Sequence, residues 1–337
     1  MTTEKLTNMR MYWLHAITPL HVGSGKGVGF IDMPVMREKV TNWPLVPGSA
    51  AKGVMRDYFR EKGSAEQKQL LDIAFGVGGD ETGRAGSLVL SDAHIVCLPI
   101  RSLYGTFAYV TSQLVLERLK RDLIAAGFKS ERSSDPSKDC GSANSSNKGS
   151  HLQGELKPLE IPETPEPKEN EALYASGSKL AADKKIFFED LDFTAKEDAD
   201  RTQRWAELLA KAIFSSDTKW QSVFKERFAV VSDNSFNFLS ETGTEVAAHI
   251  KIEDETKIVA NRALWYEEAL PIETILAGIA WCDRVYGGTG IDQEKILGTF
   301  CGDSLPELQI GGKATVGKGR VRCQFTKVEH DRKGTDN

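Results

Sequence analysis

The chain has 337 residues, of which 40% are hydrophobic and 27% charged, with a formal net charge of -5; this allows one large domain or two ordinary ones. No apolar run approaches the roughly 18 residues of a membrane span, and the opening MTTEKLTNMR lacks the apolar stretch of a secretory signal. The five cysteines (Cys97, Cys140, Cys282, Cys301, Cys323) form no CxxC pair, which argues against a disulfide scaffold or a zinc site and for the cytoplasm.

In chain order, Met9–Thr18 (MRMYWLHAIT) is apolar, aromatic and bounded by Pro19, and is expected to form a buried strand. HVGSGKGVGF follows, with glycines at 23, 25, 27 and 29. IDMPVMREKVTNWPLVPG, punctuated by Pro34, Pro44 and Pro47, reads as extended or looped. Ser49 is the expected N-cap of an amphipathic helix, AAKGVMRDYFREKG, ending near Gly63. Gly53 inside it costs roughly 1 kcal/mol relative to alanine, which leaves close packing or a ligand's approach as its reason. Ser87–Ile100 alternates as a strand, RSLYGTFAYVTS continues as strand or loop, and helix is expected over Gln113–Ala126. From about 129 to 185 the chain is rich in Ser, Pro, Glu, Gly and Asn, and a flexible acidic insertion is expected.

IFFEDLDFT reads as a strand and Asp198–Phe214 as a helix. AHIKIEDETKIVA is a hairpin candidate, its arms HIKI and KIVA flanking polar EDET, and is placed within 241–262. ALWYEEALP and ETILAGIAW are strand-like, and Gln293–Phe300 is a short helix. LQIGGKATVGKGRVRCQF reads as strand, basic glycine loop, strand. Strands and helices mix without βαβ regularity, so the expected class is α+β on a ferredoxin-like core. One domain is expected over 1–128 and 186–330, with a disordered tail over 331–337.

Charge is unevenly spread. Residues 1–62 carry nine Lys/Arg against five Asp/Glu, and residues 311–328 carry five bases and no acid. Residues 155–200 carry thirteen acids against six bases. A polyanion responds to the local field, so the two basic regions outweigh the total.

Neither glycine loop is a P-loop. In GSGKG, Leu20 stands where the first glycine belongs and Gly27 takes the Ser/Thr position; in GGKAT, Ala314 takes it. The loops are either flexible turns or backbone brought up to phosphates, and their lysines favour phosphates. Gly23, Ser24, Gly25 and Lys26 of the first loop are therefore candidate contacts, as are Gly311, Gly312, Lys313 and Lys318 of the last. Gly48, Ser49 and Lys52 add a helix N-terminus, whose dull reading is a simple capped helix. Arg37, Lys39 and Arg56 extend the basic set. Asp32 is a turn-former in the ordinary case. Beside a phosphate loop, a carboxylate opposes anion binding unless it holds a metal or takes a proton. His21 is a candidate acid, base or phosphate contact. With no HD or DxD pair nearby, a protein-built two-metal site is not supported.

LHAITPLHVGSG, GFIDMPVMREKVTNWPLVPGSAAKGVMRD, PIRSLYGTFAYVTS, ALWYEEALP and GGKATVGKGRV together closely resemble the Cmr-type RAMP backbone subunits, the Cas-seven group of type III-B CRISPR complexes. The likeness covers both ends and several middle blocks, and leaves out about 129–185. It implies an RRM-like palm with inserted loops, and a hairpin thumb that kinks a guide–target duplex. It also implies copies stacked head to tail along a guide RNA beside other Cmr subunits, with no membrane. Asp32 and His21 match the family's cleavage aspartate and histidine. The family's guide contacts map onto Pro47–Lys52 and Gly311–Gly319, and Glu267 or Glu268 matches an acid near the thumb. The implied activity is an RNA endonuclease that works in the assembled complex. Target single-stranded RNA pairs with the guide, its 2′-OH attacks, and a divalent cation (Mg2+ or Mn2+) is held at Asp32. Two other readings stay open: a scaffold that only coats guide RNA, and a solitary endonuclease that processes CRISPR transcripts.

Overall fold

In the computed structural model, residues 8–25, 27, 29, 31–78, 83–130, 160–252, 259–302 and 304–326 are described. Strand β1 (Met9–Ala16) is buried along almost its whole length. Its unbroken apolar run serves both faces of the sheet: Tyr12 and Leu14 join one core, and Met11 and Trp13 the other.

The other strands are β2 (Ala93–Arg101), β3 (Phe107–Ser112), β4 (Glu171–Tyr174), β5 (Lys185–Phe188), β6 (Leu191–Glu197), β7 (Phe228–Val231), β8 (Glu245–Ile252), β9 (Val259–Ala269), β10 (Ile275–Trp281), β11 (Leu305–Gln309) and β12 (Arg320–Thr326). The main sheet runs β5-β6-β4-β7-β3-β2-β10-β1-β12-β11, with Leu45–Val46 pairing β2 and Val89–Leu90 pairing β10. Only β4 with β6, and β3 with β7, pair in parallel within it.

The helices packed on this sheet include α1 (Gly48–Lys62), α2 (Gln113–Ala125), α3 (Arg201–Ile213), α4 (Asp233–Thr242) and α5 (Gln293–Cys301). α1 leads from β1 to β2, and α5 from β10 towards β12. Their Phe59 and Phe300 rings meet edge to face at 5.0 Å in the first core. α2 and α3 supply Leu116, Leu119, Leu123, Trp205 and Leu209 to the second core. Both faces of the sheet are therefore sealed, and functional groups are left to the loops at its ends.

Three expectations are corrected. Residues 160–185 are not a flexible insertion: β4 lies between β6 and β7 in the sheet, and Ile161, Leu173 and Leu180 are buried. Composition misleads there because the acids sit between apolar side chains that do reach the core. Residues 131–159, and the tail expected over 331–337, lie outside the described residues. IFFEDLDFT is two strands, β5 and β6, turned at Glu189 with φ +49°. The hairpin expected over 241–262 is β8 and β9, a separate two-stranded sheet over 245–269. Its return arm includes ALWYEEA, whereas Glu241 and Thr242 end α4. The polar turn EDET lies outside the described residues, which omit 253–258.

Candidate functional site

Three distant segments meet beyond the end of β1. Leu20 forms a bridge with Leu270, Gly23 with Val35, and Met33 with Glu267. From the other end of the chain, the N–H of Gly319 donates to Pro19 O at 2.8 Å and that of Gly312 to His21 O at 2.9 Å. The first and last glycine loops are thus in direct contact. Gly311 makes this possible: its φ is +79°, and a Cβ there would lie 2.2 Å from the His21 carbonyl oxygen. Gly25, also at positive φ, faces open space.

His21 is buried, and its Nδ1–H donates to the Glu268 carbonyl at 2.6 Å. A carbonyl only accepts, so neutral His21 keeps Nε2 as an acceptor. That nitrogen lies on the Gly23 side: a Cβ built on Gly23 would be 3.1 Å from it. Asp32 is exposed, and its Oδ2 accepts the Tyr266 N–H at 2.8 Å. The N–H of Met33 donates to Tyr266 O at 3.1 Å, so the segment that carries Asp32 is laced to β9.

β9 places two neighbouring carboxylates on opposite faces of the hairpin. Glu267 is 1% exposed. Its Oε1 accepts from Lys313 Nζ at 2.6 Å and Trp265 Nε1 at 2.7 Å, while His249 Nε2 lies 3.5 Å and Lys318 Nζ 3.8 Å from Oε2. Burial pushes this carboxyl up, but the Lys313 and Trp265 hydrogen bonds and the nearby positive charge prevail and hold it at about 2. It is an anion at any ordinary pH, and it gathers the last loop's lysines against the hairpin. The His249 and Trp265 rings stack beside it at 5.7 Å. Glu268, 2% exposed, faces the other way and accepts from Arg37 Nη2 at 2.5 Å and the Val35 N–H at 2.9 Å.

The structure therefore brings together His21, Gly23, Ser24, Asp32, Gly311, Gly312, Lys313 and Lys318. Ser24 N–H is spent on Pro34 O at 3.1 Å. Lys26 lies outside the described residues. Lys39 is exposed. Arg37 departs from its expected place among the phosphate contacts, because its guanidinium is spent internally on Glu268, Asn42 O and Ser240 O. Ser49 is not the cap of α1: the helix begins at Gly48 behind Pro47, and Asp92 accepts the Gly48 N–H at 2.8 Å. A carboxylate already occupies that amide, which weakens the helix start as an anion site. Gly48 is glycine for packing, since a Cβ would lie 2.3 Å from Leu90 O. Lys52 is half-buried, and desolvation with nearby Arg56 lowers its pKa. Arg56 reaches Asp72 at 3.4 Å.

Residue reading by itself passed over Trp265, Tyr266 and His249. The signal was in ALWYEEA, because adjacent glutamates on a strand that enters the core need basic partners on both sides. Among the described residues, no group of three or more His, Cys, Asp or Glu side chains forms a metal cage.

The sequence model of the RAMP superfamily matches residues 13–322. Over 321 residues the chain is 32% identical to the CRISPR system Cmr endoribonuclease Cmr4 of Pyrococcus furiosus, covering 94% of this chain and 96% of that protein. The crystal structure of oligomeric Cmr4 from Pyrococcus furiosus gives a TM-score of 0.64 at 26% identity, over 96% of this chain and 99% of that one. A chain of the type III-B Cmr-beta complex bound to cognate target RNA, seen by cryo-EM, gives 0.65 at 18% identity, over 94% of this chain and 96% of that one, a likeness of fold.

Proposed function

This chain belongs to the RAMP superfamily, and we propose that it is the RNA-cleaving backbone subunit of a type III-B Cmr effector complex. The observation that carries this reading is the meeting of both glycine loops at His21 beside an exposed Asp32, in a chain alike along its length to an endoribonuclease. The partners are guide RNA, target RNA, further copies of the chain in a head-to-tail row and other Cmr subunits. The cytoplasm is the proposed compartment; free, buried Cys97, Cys282, Cys301 and Cys323 are in keeping with it.

The palm reads as RRM-like. The antiparallel order β12-β1-β10-β2, with α1 and α5 as crossovers packed in one core, supports that reading. The β8–β9 hairpin is the thumb. Its exposed face carries Ile250 opposite Leu264, 50% and 56% exposed, an apolar wedge suited to unstacking a base. Guide and target pair by their bases, so the protein reads backbone and shape. Amides of the glycine loops take RNA phosphates, and Lys313 and Lys318 join them by exchanging Glu267 for a phosphate oxygen.

A splayed linkage places the target 2′-OH in line with its phosphorus. The 2′-oxygen–phosphorus bond forms and the phosphorus–5′-oxygen bond breaks, leaving a 2′,3′-cyclic phosphate and a 5′-hydroxyl. The 2′ proton is lost and the leaving oxygen gains one. Asp32 orients the hydroxyl or holds a divalent cation, Mg2+ or Mn2+, which would supply charge stabilisation at the phosphate. His21, buried, shapes the loop beneath.

In the assembled complex with matched target, EDTA stops cleavage and leaves binding intact, and a 2′-deoxy sugar at the cut site blocks that cut. Cleavage that persists in EDTA removes the cation from the mechanism. A complex that binds without cutting under every ionic condition favours the scaffold reading. Replacing Lys313 and Lys318 by alanine lowers the slope of log affinity against log salt by about 1.4, roughly 0.7 for each phosphate that a lysine no longer neutralises. Guide-RNA titrations across a salt series measure it, and an unchanged slope shows that both lysines stay on Glu267.

A further inference from the structure

We infer that Arg84, Arg284 and Tyr286, on the RNA-binding reading given above, form a second RNA contact away from the cleavage loop: Tyr286 stacks on a base and the two guanidiniums take phosphate oxygens. Arg284 and Tyr286 lie on the loop from β10 to α5, which reads CDRVYGGTGID. β1 pairs His15 with Ile275 at the cleavage-loop end of β10 and Met9 with Trp281 at the other. The strand rises roughly 20 Å between them, and the patch lies beyond Trp281. Arg84 comes from a two-stranded ribbon that pairs Gly76–Val77 with Arg84–Ala85. The Tyr286 N–H donates to Ser87 Oγ at 2.8 Å, which ties the loop to the ribbon. Gly287 has φ +79°, and a Cβ there would lie 2.8 Å from Arg84 Nη1. Glycine at that position lets the guanidinium close over the loop. On the other segment, Arg284 Cζ is 5.7 Å from the centroid of the Tyr286 ring.

Two arginines thus flank a tyrosine ring that is 43% exposed, and among the described residues neither has a carboxylate partner. The acids nearby are engaged elsewhere. Asp283 accepts from Trp281 Nε1 at 2.9 Å, Asp292 caps α5 through the Lys295 N–H at 2.7 Å, and Glu294 pairs with Arg10 at 2.8 Å. An apolar protein surface laid here would bury both guanidiniums without counter-charge. RNA supplies what each group needs, a π face for the ring and a phosphate for each arginine. The patch also lies near the guide contacts expected at Pro47–Lys52. From Ser87, which holds Tyr286, the chain reaches Asp92 within at most about 17 Å, and Asp92 accepts the Gly48 N–H at 2.8 Å. One strand that passes the first turn of α1 therefore meets Tyr286 a few nucleotides on.

The full chain is titrated with guide RNA over a salt series, and the assembled complex with target RNA beside it. Arg84→Ala combined with Arg284→Ala is expected to lower the slope of log affinity against log salt by about 1.4, roughly 0.7 for each phosphate given up. Tyr286→Ala weakens binding by about tenfold with the slope unchanged, and Tyr286→Phe, which keeps the ring, restores it. Arg84→Lys with Arg284→Lys keeps the slope, which separates lost charge from damage to the fold. Loss in the guide titration puts the guide strand on the patch; loss confined to the target titration puts the target there. Wild-type slope and affinity in the alanine variants overturn the inference. So does a loss shared equally by Tyr286→Phe and the lysine variants, which marks a structural role. Variants that shed another Cmr subunit while keeping the RNA slope mark a protein contact and overturn it as well. If the wild-type chain and complex bind neither RNA, the RNA-binding reading itself fails; if they bind and the alanine variants bind alike, only this patch fails.

Discussion

Asp32→Asn leaves target RNA bound at wild-type affinity and lowers the cleavage rate by about 10²-fold or more, the range for losing a positioned proton-transfer group. The substitution is nearly isosteric, and an amide oxygen can still accept the Tyr266 N–H that Asp32 Oδ2 now holds at 2.8 Å. The lacing of Met33 to Tyr266 and Glu268 uses backbone atoms and is untouched. Only the charge is removed, and with it the ability to hold a divalent ion or draw a proton. Because Asp32 lies on an exposed loop, folding should be indifferent to the change. Single-turnover cleavage at saturating complex, beside a binding titration, checks both halves. Cutting at the parental rate would falsify the catalytic role.

Gly311→Ala destabilises the chain by more than about 2 kcal/mol and weakens RNA binding at the same time. The left-handed backbone at φ +79° costs an alanine about 1–2 kcal/mol. The added methyl also lies 2.2 Å from His21 O and 2.9 Å from His21 C, so the two glycine loops must part. Parting them breaks the Gly312–His21 hydrogen bond and moves Lys313, two residues on, away from Glu267. Gly53→Ala is the internal control: it lies inside α1, with nothing within 4 Å of an added Cβ, and should stabilise by up to about 1 kcal/mol. Thermal unfolding of the two variants, with guide-RNA titrations of the first, decides the matter. Equal stabilities would show that the loop contact carries little energy.

The two glutamates at the hairpin base give these results a common cause. Glu267 holds the last glycine loop by Lys313, and Glu268 holds the segment after the first by Arg37 and Val35, from opposite faces of one strand. Titration of Glu267 lies near 2 because its lysine partner outweighs its burial. The contribution of that pair is therefore fully present at neutral pH and is lost only as pH falls from the ordinary carboxylate range towards 2.

Local pattern determined much of this protein. The apolar run of β1, the helical periods of α2 and α5, and the strand–glycine loop–strand at the end are each set by neighbours within a few residues. The same holds for the presence of a hairpin, for the glycines, and for the exposed aspartate in FIDMP. Tertiary structure decided what the charged groups do. Arg37 reads as a phosphate contact until Glu268, 231 residues away, claims it. Ser49 reads as a cap until Asp92 arrives at Gly48 from 44 residues on. Residues 160–185 read as disordered until β4 is inserted between β6 and β7. Hydrogen-bond propensity and hydrophobic period act over one or two turns of chain, whereas a buried charge is settled by whichever partner the completed fold brings within about 3 Å of it.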